Sequence, residues 1–252
     1  MTHPSHELRV GICGFAEAQQ RCFADFTILE VQRSFYQPPR LATAQRWRSQ
    51  APKGFLFTLK AWQLLTHEAS SPTYRRLTEK LSRDQLARTG GLRWNDVTSM
   101  AWERTRALAN ALDAPAIVFQ MPRSFLPSTP NLHRIEHFFG HIARDGRRLI
   151  FEPRGPDWDD AILMPLLVGL DLVHGVDPFL RAPLGAGLRY FRLHGKPAYH
   201  YRYRYTDQDL EQLARRLAAD DAAWVLFNNQ SMAEDARRLL RILRGQQETC
   251  TR

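Results

Sequence analysis

The chain has 252 residues, 44% of them apolar, and carries a formal net charge of +9; all but Lys53, Lys60, Lys80 and Lys196 of its 35 basic residues are Arg. That is enough for one large domain over residues 1–252 with a buried core, and it excludes a disordered tail or a short-period repeat array. The basic balance points to an anionic small molecule or nucleic acid as partner, or to an Arg-rich surface that is simply solvated.

In chain order, His3, Pro4, His6 and Glu7 lack the basic-then-apolar layout of a signal peptide. Eight apolar runs of strand length follow: Leu8–Cys13, Thr27–Val31, Phe55–Lys60, Pro115–Gln120, Arg148–Glu152, Leu172–Asp177, Leu188–His194 and Ala223–Asn228. Helical patterns lie between them. Ser71-Pro72 and Thr129-Pro130 each read as an N-cap followed by Pro, and Ala101–Leu112 has apolar residues at helical spacing. Asp157 with Asp160 and Thr206 with Asp209 are weaker cap signals; Ser231 with Glu234 reads as a capping box before Ala236–Leu243. Two connections look irregular, the polar Ser82 to Asn95 and the Pro- and Gly-rich Asp177 to Gly187. The most apolar stretch, Ala161–Val173, is broken by Pro165, Gly169 and Asp171 and is shorter than the roughly 20 residues of a membrane span. Cys13, Cys22 and Cys250 show neither zinc nor redox spacing, so free thiols in a reducing cytoplasm are expected.

Alternating strands and helices imply a parallel sheet covered by helices, and eight such units in this length match a (β/α)8 barrel with an irregular sixth unit. An open doubly wound sheet is the rival. Its glycine fingerprint is incomplete here, since only Gly11 and Gly14 are present. In a barrel, chemistry gathers at the carboxyl ends of the strands. Those ends read Glu30, Lys60, Gln120, Glu152 with Arg154, Asp177, Arg192 with His194, and Asn228 with Asn229. Strand alternation keeps Glu30 in phase with Ile28, Glu152 with Ile150, and Arg192 with His194, which argues against a merely wet strand end.

The runs Thr27-Ile-Leu-Glu30-Val-Gln-Arg-Ser-Phe-Tyr36, Phe57-Thr-Leu-Lys60-Ala with Thr66-His67, and Phe119-Gln120-Met-Pro122-Arg-Ser-Phe125 are distinctive in combination. So are Phe151-Glu152-Pro-Arg154 with Trp158, Phe191-Arg192-Leu-His194-Gly195, Tyr205, and Phe227-Asn228-Asn229. Together they resemble the YecE-like family (domain of unknown function 72) in order over nearly the whole chain. The resemblance implies a (β/α)8 barrel and no established activity. It departs near the start, where Gly14-Phe15 stands in place of Gly-Trp and Ala16–Asp25 is short.

Glu30 and Glu152 are the candidate proton-transfer groups, with His194 assisting. Each carboxylate can equally be the acceptor of a buried ion pair with Lys60, Arg154 or Arg192. Lys60, Arg154 and Arg192 suit a phosphate or carboxylate. Tyr36, Gln120 and Asn228 would read hydroxyl or amide groups, and His67 and Asp177 would line the same rim. This inventory favours a hydrolase or lyase acting on a phosphorylated or otherwise anionic substrate. It calls for no cofactor, and no divalent-metal spacing supports a metal centre. His133, His137 and His141 fall on one helix edge that reads as solvated, as do Arg237, Arg241 and Arg244. The rival function is nucleic-acid binding, with Tyr201, Tyr203 and Tyr205 on one side of an extended loop and Arg202 and Arg204 on the other, though the run reads better as a loop whose tyrosines pack on the barrel and whose arginines face water. A sugar hydrolase using the two glutamates and a non-catalytic scaffold are the remaining alternatives.

Overall fold

A computed structural model describes residues 7–218 and 222–250. The Cys250 thiol and the readings at His3, Pro4 and His6 lie outside the described residues. Eight parallel strands close into a barrel in chain order: β1 (Glu7–Cys13), β2 (Ile28–Val31), β3 (Leu56–Lys60), β4 (Ala116–Gln120), β5 (Arg148–Glu152), β6 (Leu172–Val176), β7 (Arg189–Leu193) and β8 (Ala222–Phe227). Each starts and stops within one residue of its apolar run. Among the described residues no helix is long and apolar enough to cross a membrane.

The contacts divide the chain into two compact units. The first comprises the described residues of Met1–Glu30, Pro52–Phe55 and Gly175–Arg252. In it β8 is flanked by β1 and β7, with Gly11 beside Leu226 and Arg192 beside Leu226 on the other side. Helices α1 (Gln19–Asp25), α9 (Asp207–Leu217) and α10 (Met232–Cys250) belong here. Thr206 caps α9 in a full capping box with Asp209, as its spacing predicts. Leu210, Leu213 and Ala214 on α9 and Ala236 and Leu239 on α10 are buried at helical spacing. No helix separates β6 from β7, because Asp177–Leu188 carries three Pro or Gly breakers in its second half, Pro183, Gly185 and Gly187.

The second unit comprises Val31–Ala51 and Leu56–His174. It contains the helices α2 (Arg33–Tyr36), α3 (Leu41–Gln50), α4 (Gln63–Thr66), α5 (Arg83–Ala87), α6 (Asp96–Leu112), α7 (Thr129–His141) and α8 (Asp160–Gly169), with a 3-10 turn at Pro72–Arg76. A run of aromatic contacts fills the space between its strands and outer helices. Phe119 on β4 lies 5.8 Å from Trp102, 5.7 Å from Phe138 and 5.0 Å from Phe139, and Phe151 on β5 lies 5.7 Å from Trp158. Such pairs each add about 0.5–1.5 kcal/mol beyond the area they bury. The expected helix Ala101–Leu112 starts earlier, at Asp96, because Asn95 and Thr98 form a capping box. Three other starts need correction. Ser82 and Gln85 cap α5 inside the segment expected to be irregular; Ser128, not Thr129, stands before α7; and Asp159, not Asp157, caps α8 by accepting from the Ile162 N–H.

Candidate active site

In the first unit, Cys13 on β1 and Glu30 on β2 are register neighbours at their strands' carboxyl ends. Tyr190 and Arg192, two apart on β7, share a face and both reach Glu30. Arg192 donates through its Nε to Glu30 Oε2 at 2.9 Å and through a terminal nitrogen to Oε1 at 2.6 Å, and the Tyr190 hydroxyl donates to Oε2 at 2.9 Å. Both Glu30 and Arg192 are 0% exposed. A fork of this kind fixes the carboxylate, so Glu30 has the environment of a buried ion-pair acceptor. Tyr190 was not anticipated; its position two residues before Arg192 was the available signal.

Asp177, His194 and Asn228 come together next. Asp177 accepts the His194 backbone N–H at 2.8 Å, and the Asn228 amide nitrogen lies 3.2 Å from His194 Nδ1. The Tyr199 ring packs 5.2 Å from the imidazole. The loop after β7 does not form the two-sided Tyr/Arg ribbon of the nucleic-acid reading. A turn closed by the Tyr203 N–H on the His200 carbonyl at 2.8 Å breaks the alternation. Tyr205 is buried, with its hydroxyl accepting from the Gly195 N–H, and Tyr203 donates to Asp209 at 2.6 Å. Arg204 pairs with Glu234. Tyr201, Arg202 and Arg204 of the run are exposed. Asp209 also receives Lys196 at 2.6 Å; burial would raise its pKa, but Lys196, Tyr203 and Thr206 hold it down to about 2.

In the second unit, register places Gln120 on β4 directly beside Glu152 on β5. The Gln120 amide nitrogen donates to Glu152 Oε1 at 2.6 Å, and its oxygen accepts from Lys60 Nζ at 2.8 Å. Arg154 Nε lies 3.6 Å from the same Glu152 oxygen. The Lys60 ammonium sits over the Phe35 ring, 3.8 Å from its centre, and the His67 ring meets that phenyl edge-on at 4.8 Å. Tyr36 turns its ring to Arg76 at 3.5 Å, while its carbonyl accepts from Gln63 at 2.7 Å.

His67 is held by its backbone. Its N–H donates to the Gln63 carbonyl and its carbonyl accepts from the Tyr74 hydroxyl, both at 2.8 Å. The loop 90–92 returns three N–H bonds to the carbonyls of Leu64, Thr66 and Leu65. Gly90, at φ +76°, permits this approach, since a Cβ there would stand 2.3 Å from the His67 carbonyl carbon. Burial, then the charges of Lys60 and Arg154, lower the His67 pKa to about 3. The imidazole is therefore neutral at physiological pH.

Outside these clusters, His133, His137 and His141 line the exposed edge of α7 as expected. Among the described residues no group of three or more His, Cys, Asp or Glu side chains is placed to hold a metal ion. Arg237 departs from the solvated edge expected of it. It forks onto Glu17 at 2.5 and 3.0 Å and reaches Asp25 at 2.7 Å, which raises its pKa.

The fold is similar to that of solved barrels. A DUF72 family protein from Enterococcus faecalis V583 superimposes with a TM-score of 0.70 at 18% identity, covering 96% of this chain and 99% of that one. A DUF72 family protein from Thermotoga maritima MSB8 gives 0.65 at 18% identity, covering 96% and 100%. A D-psicose 3-epimerase solved in the presence of D-fructose gives 0.58 at 14% identity, covering 94% and 98%. No curated protein matches the sequence. The sequence family described as "Protein of unknown function DUF72" matches residues 18–252. Strand order, strand-end motifs and that match agree, and the chain belongs to the DUF72 family.

Proposed function

We propose that the strand-end cluster of the second unit binds a small phosphorylated or carboxylate-bearing molecule and that Glu152 transfers a proton on it, as a hydrolase or lyase does. The observation that carries this reading is the pair of cations, Lys60 and Arg154, gathered at this strand end beside Glu152, both close enough to His67 to add to the burial that lowers its pKa. The part of that effect due to Lys60 and Arg154 favours an anion in the same place, and those two charges offset the burial that an anion would otherwise meet. Gln120 holds Lys60 and Glu152 in fixed relation, which is the preorganisation that charge stabilisation requires. Arg154 offers a guanidinium fork and Lys60 a point charge. Glu30 takes a positioning role with Arg192 instead of a proton-transfer role, because its two oxygens accept three hydrogen bonds at full burial. Likeness of fold at this identity speaks for the barrel and leaves the substrate to the site itself.

Calorimetric titration with inorganic phosphate and with pyruvate tests the binding step. At least one should bind, and Lys60→Met or Arg154→Met should weaken it roughly tenfold or more, the worth of one charge-assisted hydrogen bond. Binding of neither anion would sink the reading. Screening phosphorylated and carboxylate compounds in deuterium oxide by NMR tests the chemistry. Turnover or deuterium uptake should vanish in Glu152→Gln, whose shape and hydrogen bond to Gln120 are conserved.

A further inference from the structure

Thr66, the last residue of α4, is 1% exposed, and its hydroxyl lies 2.8 Å from Nδ1 of His67. Among the described residues this is the only hydrogen bond of that hydroxyl. A buried hydroxyl has one proton to place, and leaving it without an acceptor costs about 1–3 kcal/mol. Were Nδ1 protonated, it would donate to the hydroxyl oxygen and strand the hydroxyl proton. With the hydroxyl donating to Nδ1, every buried polar group of the pair is satisfied, and the imidazole proton sits on Nε2.

We infer that Thr66 locks His67 in its Nε2–H tautomer, and that this N–H is the neutral donor to an oxygen of the bound anion. The inference rests on the anion-site reading for its ligand and on geometry alone for its tautomer. Nε2 takes no partner among the described residues, while the ring is pinned against Phe35 at 4.8 Å and by the backbone bonds to Gln63 and Tyr74. Burial, together with the two cations facing the ring, Lys60 from β3 and Arg154 from beyond β5, keeps the donor uncharged across the working pH range. His67 thus polarises an oxygen without adding a third full cation beside Lys60 and Arg154. It does not act as a base through Nε2, because that nitrogen already carries the proton.

The nitrogen NMR spectrum of protein labelled at histidine tests both halves, with the His67 signals assigned by their loss in His67→Gln. In the free protein between pH 5 and 8, Nε2 should show the shift of a protonated ring nitrogen and Nδ1 that of an acceptor. The reverse pattern, or an imidazolium at pH 6, overturns the inference. Thr66→Val should admit a share of the Nδ1–H form; an unchanged tautomer there removes Thr66 from its role. Saturating inorganic phosphate or pyruvate, whichever calorimetry shows to bind, should move the Nε2 resonance, and a resonance that stays put while calorimetry records binding overturns the donor role. Absence of binding by phosphate and by pyruvate alike sinks the anion-site reading and the ligand half with it, whereas the tautomer, measured without ligand, is decided on its own.

Discussion

Glu30 and Arg192 share full burial, and that decides what either can do. Truncating Glu30 to Ala leaves a guanidinium in the interior with its two bonds to the carboxylate gone, and a broken buried pair costs about 3–5 kcal/mol. Urea denaturation should show a loss in that range; a loss below about 1 kcal/mol, the worth of an exposed pair, would contradict the assignment. His67 sets a pH dependence of a different kind. The folded protein keeps it neutral to about pH 3, against 6.5 for a free imidazole, so on acidification the unfolded chain takes up a proton that the folded protein refuses. Stability therefore falls as pH drops from 6.5 toward 3 and stops falling below it. Asp209 acts lower down: its carboxyl is held at about 2 against 3.8, so its contribution is complete above 3.8 and disappears as pH falls through 2. Melting temperatures between pH 3 and 6.5 should slope less in His67→Gln than in the parent chain. At this scale the sequence showed the charged groups through strand alternation, which exposed Glu30, Glu152 and Arg192. It could not show which cation each carboxylate would meet, because Arg192 and Glu30 are 162 positions apart.

Strands were legible to within a residue because each is a short apolar run ended by turn residues, and burial on both faces selects such runs. Helix starts were less so. The α5 helix hangs on Ser82 and Gln85 with no apolar stripe, and a polar segment without periodicity reads as loop. The Tyr/Arg run failed for the opposite reason: its alternation is real, but a turn at His200–Tyr203 interrupts the extended chain that would give alternation meaning. The β1–β2 ladder rests on a position without a side chain. A Cβ on Gly11 would stand 1.7 Å from the Ile28 carbonyl oxygen, a backbone atom that cannot swing aside. Gly11→Ala should cost about 1–3 kcal/mol or more, as overpacking does, and should speed amide exchange at the Gly11–Ile28 and Cys13–Glu30 pairs. Unchanged exchange there would show that the two strands separate without penalty.

Across the whole chain, the net charge of +9 contains much internal pairing, as in the Arg237 fork onto Glu17 and the Arg106 fork onto Glu103 and Asp145. Exposed pairs of the second kind are each worth only about 0–1 kcal/mol. We propose that the chain unfolds as one domain, since the hydrogen-bonded strand order runs through all eight strands. Five of its six Trp residues lie in the second unit, and Trp224 reports on the first. The fluorescence difference between the parent chain and Trp224→Phe should melt at the same temperature as the far-ultraviolet dichroism. Two separate midpoints would show two domains.

The segment joining β6 to β7 does without a covering helix, and its tip at Ala186 and Gly187 is exposed, with Gly185 and Gly187 in the left-handed region at φ +82° and +79°. Nothing in a ladder depends on that tip. An affinity peptide or a fluorescent reporter spliced between Ala186 and Gly187 should accordingly leave the barrel assembled, giving a labelling point chosen by architecture.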